Sequence, residues 1–317
     1  MFHKHSRLRR RVLLATLALT VPLSVLGLAS SAQAAPKGIF SIFSDCPLAT
    51  FKALGINPGA ALCQFGQTTS GEFAIGATKV PINQTITLQG GAIPFGTAET
   101  EFFLIPGANG ESLSKTALNV PGGLLDIINC EEIKGEGIFE KIERAACKAT
   151  FENPNTTGVT ATTEVVANTK NPAILNEFNL ANGVGAAIVL PVRVHLKNPL
   201  LGESCYIGSE SSPIQLNLTT GKTSPKPPNK SISGKPGTFE TLEEKEQVML
   251  RIKNNSLVDN TYSVPVAEGC GGFFSFIIDP IVDSKLKLPS ASGNNTAILN
   301  GTLNTATAEA VEASEKF

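Results

Sequence analysis

The sequence predicts a mainly β fold: antiparallel, sandwich-like sheets with short helices tied down by disulfides. Three observations carry this. Thr, Val, Ile and Phe occur in short runs separated by Gly, Pro, Asn and Asp. Several runs alternate apolar and polar residues, the period of a strand with one face buried and one wet. Six cysteines, Cys46, Cys63, Cys130, Cys147, Cys205 and Cys270, follow a leader-like N-terminus, so three disulfides formed in an oxidising compartment are expected.

The first segment, residues 1–34, reads as a signal peptide. Lys4, Arg7, Arg9, Arg10 and Arg11 form a basic start, "VLLATLALTVPLSVLGLA" is apolar, and Ala32-Gln33-Ala34 is a small-x-small cleavage site. Pro22 and the small residues near its end argue for cleavage after Ala34 rather than for a membrane anchor, and no Cys follows to take a lipid. About 280 residues remain, enough for one large or two ordinary domains. The expected division is a β domain over 35–155, a second β domain over 156–304 and a polar tail over 305–317. Losing the five basic residues moves the net charge from −1 to about −6. A mildly acidic chain without a basic run is a poor partner for nucleic acid or anionic membrane surfaces. No later apolar run is long enough to form a transmembrane helix after cleavage.

Along the remaining chain, "PLATFKALGI" after Cys46 reads as a short helix ending at Gly55. "EFAIGATKVPINQTITLQGG" reads as strands, with Ile82, Ile86 and Leu88 on one face and Thr85 and Thr87 on the other. "GIFEKIERAACK" places Ile138, Ile142 and Ala145 or Ala146 on one helical stripe. "TGVTATTEVVA", "AAIVLPVRVHLKN", "SPIQLNLTT", "QVMLRIKN", "TYSVPVA" and "FFSFIID" read as further strands. In the second of these Val192, Val194 and Leu196 face one side, and Arg193, His195 and Lys197 the other. Val248, Leu250 and Ile252 form a buried stripe, although "TLEEKEQVMLRI" is also compatible with a helix from Thr241. Residues 219–238, rich in Pro, Lys, Gly and Ser, read as a long exposed loop.

Six cysteines allow fifteen pairings. Spacing makes one of them economical. Cys46/Cys63 and Cys130/Cys147 are each seventeen apart and bracket the two helical segments, which leaves Cys205 for Cys270. None of the pairs has CxxC spacing and no second histidine lies nearby, so a metal site is not expected.

Two stretches resemble each other: "IGATKVPINQTITLQG" from Ile75 and "IGSESSPIQLNLTTG" from Ile207, 132 residues apart. They are read either as two similar hairpins or as two related β domains. The stretches "TTSGEFAIGATKVPINQTITLQGG", "LKNPLLGESCYIGSESSPIQLNLTTGKTSP", "LVDNTYSVPVAEGCGG" and "LPSASGNNTAILNGTL" together resemble a group of exported proteins of high-GC Gram-positive (actinobacterial) type. They cover about a third of the chain after the leader. The resemblance implies export and a structural context for Cys205 and Cys270. It transfers no catalytic residue.

Chemistry is sparse. After cleavage the only histidine is His195, and its neighbours put it on the polar face of a strand, so no His-based triad is expected. Acids that could form a glycosidase-like pair are Glu131, Glu132, Glu136, Glu243, Glu244 and Glu246, in exposed-looking segments, and Glu99 and Glu101 beside "FFLIP". There is no Trp, and only Tyr206 and Tyr262 could serve as flat platforms for sugars. Asp126, Asp259, Asp279 and Asp283 are scattered and make no calcium loop. No catalytic, cofactor or metal residue is therefore assigned. The expected role is that of an exported, non-catalytic β protein that binds, or builds structure, at the cell envelope or in the extracellular matrix. Its partner class would be an envelope or extracellular polymer or protein. Two alternatives are a secreted polysaccharide hydrolase with a carboxylate pair and an envelope β-barrel or pore subunit.

Overall fold

Two long strands far apart in sequence form the middle of the sheet. The structure, a computed structural model, describes residues 34–95, 100–121, 135, 137–151 and 158–317; of residues 143 and 146–151 only the backbone is described. The strands are β1 (Leu62–Ile75), β2 (Thr78–Pro81), β3 (Ile86–Pro94), β4 (Glu101–Pro106), β5 (Leu118–Val120), β6 (Val159–Val165), β7 (Ile174–Asn176), β8 (Ile188–Lys197), β9 (Tyr206–Ile207), β10 (Ile214–Leu218), β11 (Thr238–Glu244), β12 (Gln247–Asp259), β13 (Ala267–Glu268) and β14 (Thr296–Thr307). The helices are α1 (Leu48–Ala53), α2 (Ile138–Phe151), α3 (Glu177–Asn182), α4 (Ser275–Leu286) and α5 (Ala308–Ser314). Every pairing is antiparallel, in the order β11-β12-β14-β1-β3-β4-β7-β8-β6-β5. The sheet is open, not a barrel, with β11 and β5 at the ends of that path.

The sheet bends over so that β12, β14 and β1 face β8 and β10 across the main core. That core contains Leu190, Val192, Leu216, Ile252, Ala297 and Leu303. A smaller core lies on the other face of β1, β12 and β14. There the 3-10 turn Gly38–Phe43, α1 and α5 bury Phe40, Phe43, Phe51, Met249 and Val311. Each buried Phe is worth roughly 1.5–3 kcal/mol relative to exposure. A Cβ at Gly91 would overlap the Phe51 ring, so glycine lets α1 sit close on β3.

Strands shared by two cores must change face, and bulges do this. β1 has a register shift between Thr68 and Ser70. Before it Phe65 packs in the small core; after it Phe73 packs in the main one. A matching shift in β12 lies between Ile252 and Asn255, and brings Leu257 to the face of Leu250 and Ile252. Met249 is fully buried on the opposite face, while Val248 is exposed. The expected stripe over Val248, Leu250 and Ile252 with a wet reverse face is corrected accordingly: the reverse face is covered by α5 and the 3-10 turn. The possible helix from Thr241 is instead the hairpin β11–β12. Its turn, Lys245-Glu246, has two positive φ values, 47° and 65°.

Ala35–Phe317 forms one compact unit. Pairings run across the expected 155/156 boundary, through β1–β14 and β5–β6. The expected tail over 305–317 is the end of β14 followed by α5. Thr307 Oγ1 caps α5 by accepting from Ala310 N at 3.2 Å, and Ala308, Ala310, Val311 and Ser314 are buried. Lys37 Nζ donates to Phe317 O at 2.8 Å, and Phe40 meets the Phe317 ring edge-on at 6.1 Å.

The similar stretches at Ile75 and Ile207 hold different places. Gly76 and Gly208 both have positive φ, 55° and 82°. Ile75 and Thr78 close a two-residue hairpin between β1 and β2. By contrast β9 and β10 do not pair with each other; both lie along β8. The expected exposed loop over 219–238 is corrected in part: Thr219, Thr220 and Thr223 are buried, and the rest is ordered by backbone bonds. Gly234 N donates to Gly221 O at 2.7 Å, and Lys235 and Ser256 exchange two backbone bonds of 2.9 Å.

Cys46 is bonded to Cys63 in the small core, and Cys205 to Cys270 in the main core. Cys130 lies outside the described residues, as does the Cys147 side chain. α2 forms where the 3.6 period suggested, but Ile138, Phe139 and Ile142 of its apolar side are exposed. The run "FFSFIID", expected as a strand, lies in the turn before α4 and in its first two turns. Asp279 accepts from Gly269 N and Cys270 N at 3.2 and 2.7 Å, and Asp283 accepts from Ala267 N at 2.7 Å. These two acids, one helical turn apart, fasten the face of α4 that also buries Val282 against the main core, and Phe273, Phe274, Phe276 and Ile277 are left outside.

Candidate functional site

A cleft of about 900 Å³ opens between β4 and β6. It exists because β7 is only three residues long. Past Phe103, β4 has no strand on that side, and Leu104 N instead donates to Ala173 O at 2.9 Å. Ile93, Phe103, Ile105, Leu113 and Val165 give the cleft an apolar lining, and Phe95 meets Phe103 edge-on at 4.4 Å. One wall is the turn from Gly107 to Glu111, closed by Gly107 N to Glu111 O at 3.0 Å. The other is the turn after β6, where Asn168 Oδ1 accepts from the amides of Lys170 and Asn171 at 2.9 and 3.0 Å.

Two ion pairs supply the polar groups. Lys115 Nζ lies 2.8 Å from Glu111 Oε1. This partner, and Glu164 further off, raise the Lys115 pKa. Glu164 of β6 is registered opposite Arg193 of β8, and Arg193 Nε and Nη2 both lie 2.8 Å from Glu164 Oε2. Behind this pair stand His195 and Tyr206, themselves cross-strand partners. The imidazole stacks on the Tyr206 ring at 4.3 Å and 23°, the Arg193 guanidinium lies 4.3 Å from the same ring, and His195 Nδ1 is 3.7 Å from Glu164 Oε1.

The wet-face placement of His195 is therefore corrected. The residue is 6% exposed, because Tyr206 of β9 covers the face that β8 alone would leave open. Its Nε2 makes no hydrogen bond. Burial, and then Lys197, hold its pKa below the ordinary 6.5, against the pull of Glu164.

Of the other expected acids, Glu99, Glu131, Glu132 and Glu136 lie outside the described residues. Glu101 accepts from Asn176 Nδ2 at 3.1 Å, at the foot of α3. Glu244 accepts from Ile39 N at 2.7 Å and so fastens the small core; Glu243 and Glu246 are exposed. The acids that do line the cleft, Glu111 and Glu164, were not singled out by sequence. Glu164 was reachable in principle, since it alternates with the inward residues of "TGVTATTEVVA". Its partner Arg193 becomes visible only with the strand register. Neither tyrosine is a free platform: Tyr206 is stacked, and Tyr262 is buried with its hydroxyl donating to Ala74 O at 3.0 Å.

Asp259 is fully buried and accepts from Asn217 N, Thr261 N and Thr261 Oγ1, each at 2.7 Å. Burial raises its pKa and these bonds oppose the rise. It organises a turn rather than a reaction. Among the described residues no three His, Cys, Asp or Glu side chains gather as a metal site. No described helix is long and apolar enough to cross a membrane. The cleft thus offers an apolar surface edged by ion pairs, which suits holding a ligand. General acid–base chemistry wants a carboxyl or imidazole free to exchange its proton with the bound molecule. No protein-family model matches the chain, and no curated protein or solved structure matches it.

Proposed function

We propose that this is an exported, non-catalytic β protein that binds a component of the cell envelope or extracellular matrix in the cleft between β4 and β6. The observation that carries the reading is the composition of that cleft: an apolar lining of Phe, Ile, Leu and Val with both of its carboxylates paired to cations. The two disulfides among the described residues and the leader-like first 34 residues support export. To test it, culture would be fractionated into medium, wall and membrane, and the material retained by the purified chain from each fraction identified. Retention by the wild type, lost in Phe103→Ser with the melt unchanged, is expected. Equal retention by both proteins would remove the cleft from the account.

A second reading, hydrolysis of a polysaccharide, rests on Glu111 and Glu164 sharing the cleft. Sugar release by the wild type that disappears in Glu164→Gln would favour it. The pore reading gains nothing from an open sheet whose enclosed face is lined by Leu190, Val192 and Leu216.

A further inference from the structure

The space between the two layers of the sheet is not filled throughout. Three apolar hollows of about 70, 50 and 180 Å³ lie in a row. Phe73 and Thr163 wall both the first and the second. Thr78, Val120, Leu196 and Leu286 wall both the second and the third. Phe73, Leu257 and Leu299 face the core yet are only half-buried, as side chains beside a hollow must be. Among the described residues, the third hollow is bordered by exposed Ala77 of the β1–β2 turn, Pro121, and Lys285 in the last turn of α4, which form its mouth.

An apolar cavity of this scale stays dry and takes up apolar molecules; a cavity of about 150 Å³ accepts benzene. A row of narrow hollows suits a flexible unbranched chain better than a ring. The mouth sets the other end of the ligand. Lys285 is exposed and forms no ion pair among the described residues. The carbonyls at the end of α4, which would repel an anion, are already occupied: Leu286 O accepts from Ala77 N at 3.0 Å and Asp283 O from Leu288 N at 2.8 Å. The nearest acid along the helix, Asp283, is turned to the Ala267 amide.

We propose that these hollows form a binding slot for the alkyl chain of a free fatty carboxylate, with the carboxylate at Lys285. The slot adjoins the cleft at Leu113 and Thr163, which border both, but its lining leaves out the cleft's ion pair: neither Glu164 nor Arg193 borders any of the three hollows. The helix that walls the mouth and the turn before it carry Phe276, Phe273 and Phe274 outside, an apolar surface over which such chains would arrive.

Titration calorimetry with octanoate, decanoate and laurate, each below its micelle concentration, tests this directly. One-to-one binding is expected, tightening about fourfold per added methylene until the chain fills the slot. Val120→Phe narrows the passage between the second and third hollows and should abolish binding. If that variant does not fold, Thr78→Phe blocks the same passage from the hairpin. Lys285→Met should weaken laurate about fivefold and leave the uncharged dodecanol unchanged. Absence of saturable binding for all three acids overturns the proposal. So does wild-type affinity in a folded Val120→Phe or Thr78→Phe protein. Loss of cleft binding in Phe103→Ser with laurate binding intact would separate the two sites.

Discussion

The segments over 305–317 and 273–281 reverse each other. The first is rich in Thr, Ala and Glu; it ends a central strand and forms a helix whose Val311 is fully buried. The second, "FFSFIIDPI", is among the most apolar runs in the chain, yet Phe273 is 88% and Phe276 71% exposed. The difference lies in what each backbone must satisfy. Small side chains let α5 sit close against β1, β12 and the 3-10 turn, with Ala308 N donating to Ala61 O at 2.9 Å. In α4 only Val282 is deeply buried, with Ile278 and Leu286 beside it, and the same face carries Asp279 and Asp283, which complete the hydrogen bonds of the 267–270 backbone. A buried amide left without a partner costs about 1–3 kcal/mol, so the acids turn inward and the phenylalanines outward.

The strongest test of this contrast is Val311→Asp. A charge without a partner in the small core should cost about 5 kcal/mol or more and unfold much of the population at room temperature. Urea denaturation followed by circular dichroism reads it. A midpoint close to wild type would mean that α5 is only a cover.

The disulfides among the described residues come next, one in each core. Their sequence separations are 65 for Cys205–Cys270 and 17 for Cys46–Cys63. Loop-closure entropy assigns them about 4 and about 3 kcal/mol. Replacing both members of the longer bridge with Ala should therefore lower the melting temperature more than the same change in the shorter. The reverse order would show that the small core leans on its staple more heavily than loop length predicts.

The excursion over 219–238 divides in a similar way. Removing Lys226–Asn229 at its tip should change stability by less than about 1 kcal/mol. Removing Gly234–Gly237 takes away the bonds to Gly221 and Ser256 and should cost more, as a melt of each deletion would report.

A smaller effect is expected at His195. Its pKa is depressed in the fold, so between that value and 6.5 the unfolded chain holds more protons than the folded one. Stability from this group is complete above pH 6.5 and falls as the pH drops toward the folded value. His195→Gln should flatten that part of the stability–pH curve. An unchanged slope in the variant would assign the acid sensitivity to other groups. Asp259 and Glu177, raised by burial, act with the opposite sign, since each loses stability as the pH rises through its window.

The smallest change should come from Phe273→Ser and Phe276→Ser, within about 0.5 kcal/mol of wild type in the purified protein. A loss comparable to that from Val311→Asp would erase the contrast between the two segments.

Much of the sheet was legible because its strands alternate. β8, β10 and β12 lie where Val, Ile and Leu recur at every second residue, β6 lies where Val, Ala and Thr do, and α1 stops at Ala53, two residues before the left-handed Gly55. The failures share a cause: they depend on what covers a face. Met249 and His195 sit on the sides that alternation reads as wet, and both are covered by elements distant in sequence, α5 and β9. "FFSFIID" passed for a strand because hydrophobicity was weighed before the carboxylates that anchor it. The cleft was illegible because its walls, β4 and β6, are separated in the sheet by β7 and β8, and the gap comes from β7 being three residues long. Glu164 and Arg193, ordinary surface charges in sequence, become its main polar feature through register alone.

The full-length pairing of β1 with β14 also sets an order of events. Leu62 meets Thr307 and Ala74 meets Thr296, across more than two hundred intervening residues. A chain that emerges from its amino end can form the hairpins β1–β2 and β11–β12 early, but β1 keeps one open edge until β14 arrives. Contacts this distant slow folding, because the long loop must close before they contribute. Until then the strand edge and the ring of Phe51 wait for neighbours that do not yet exist, which is when an extended chain is easiest to thread and easiest to lose to aggregation.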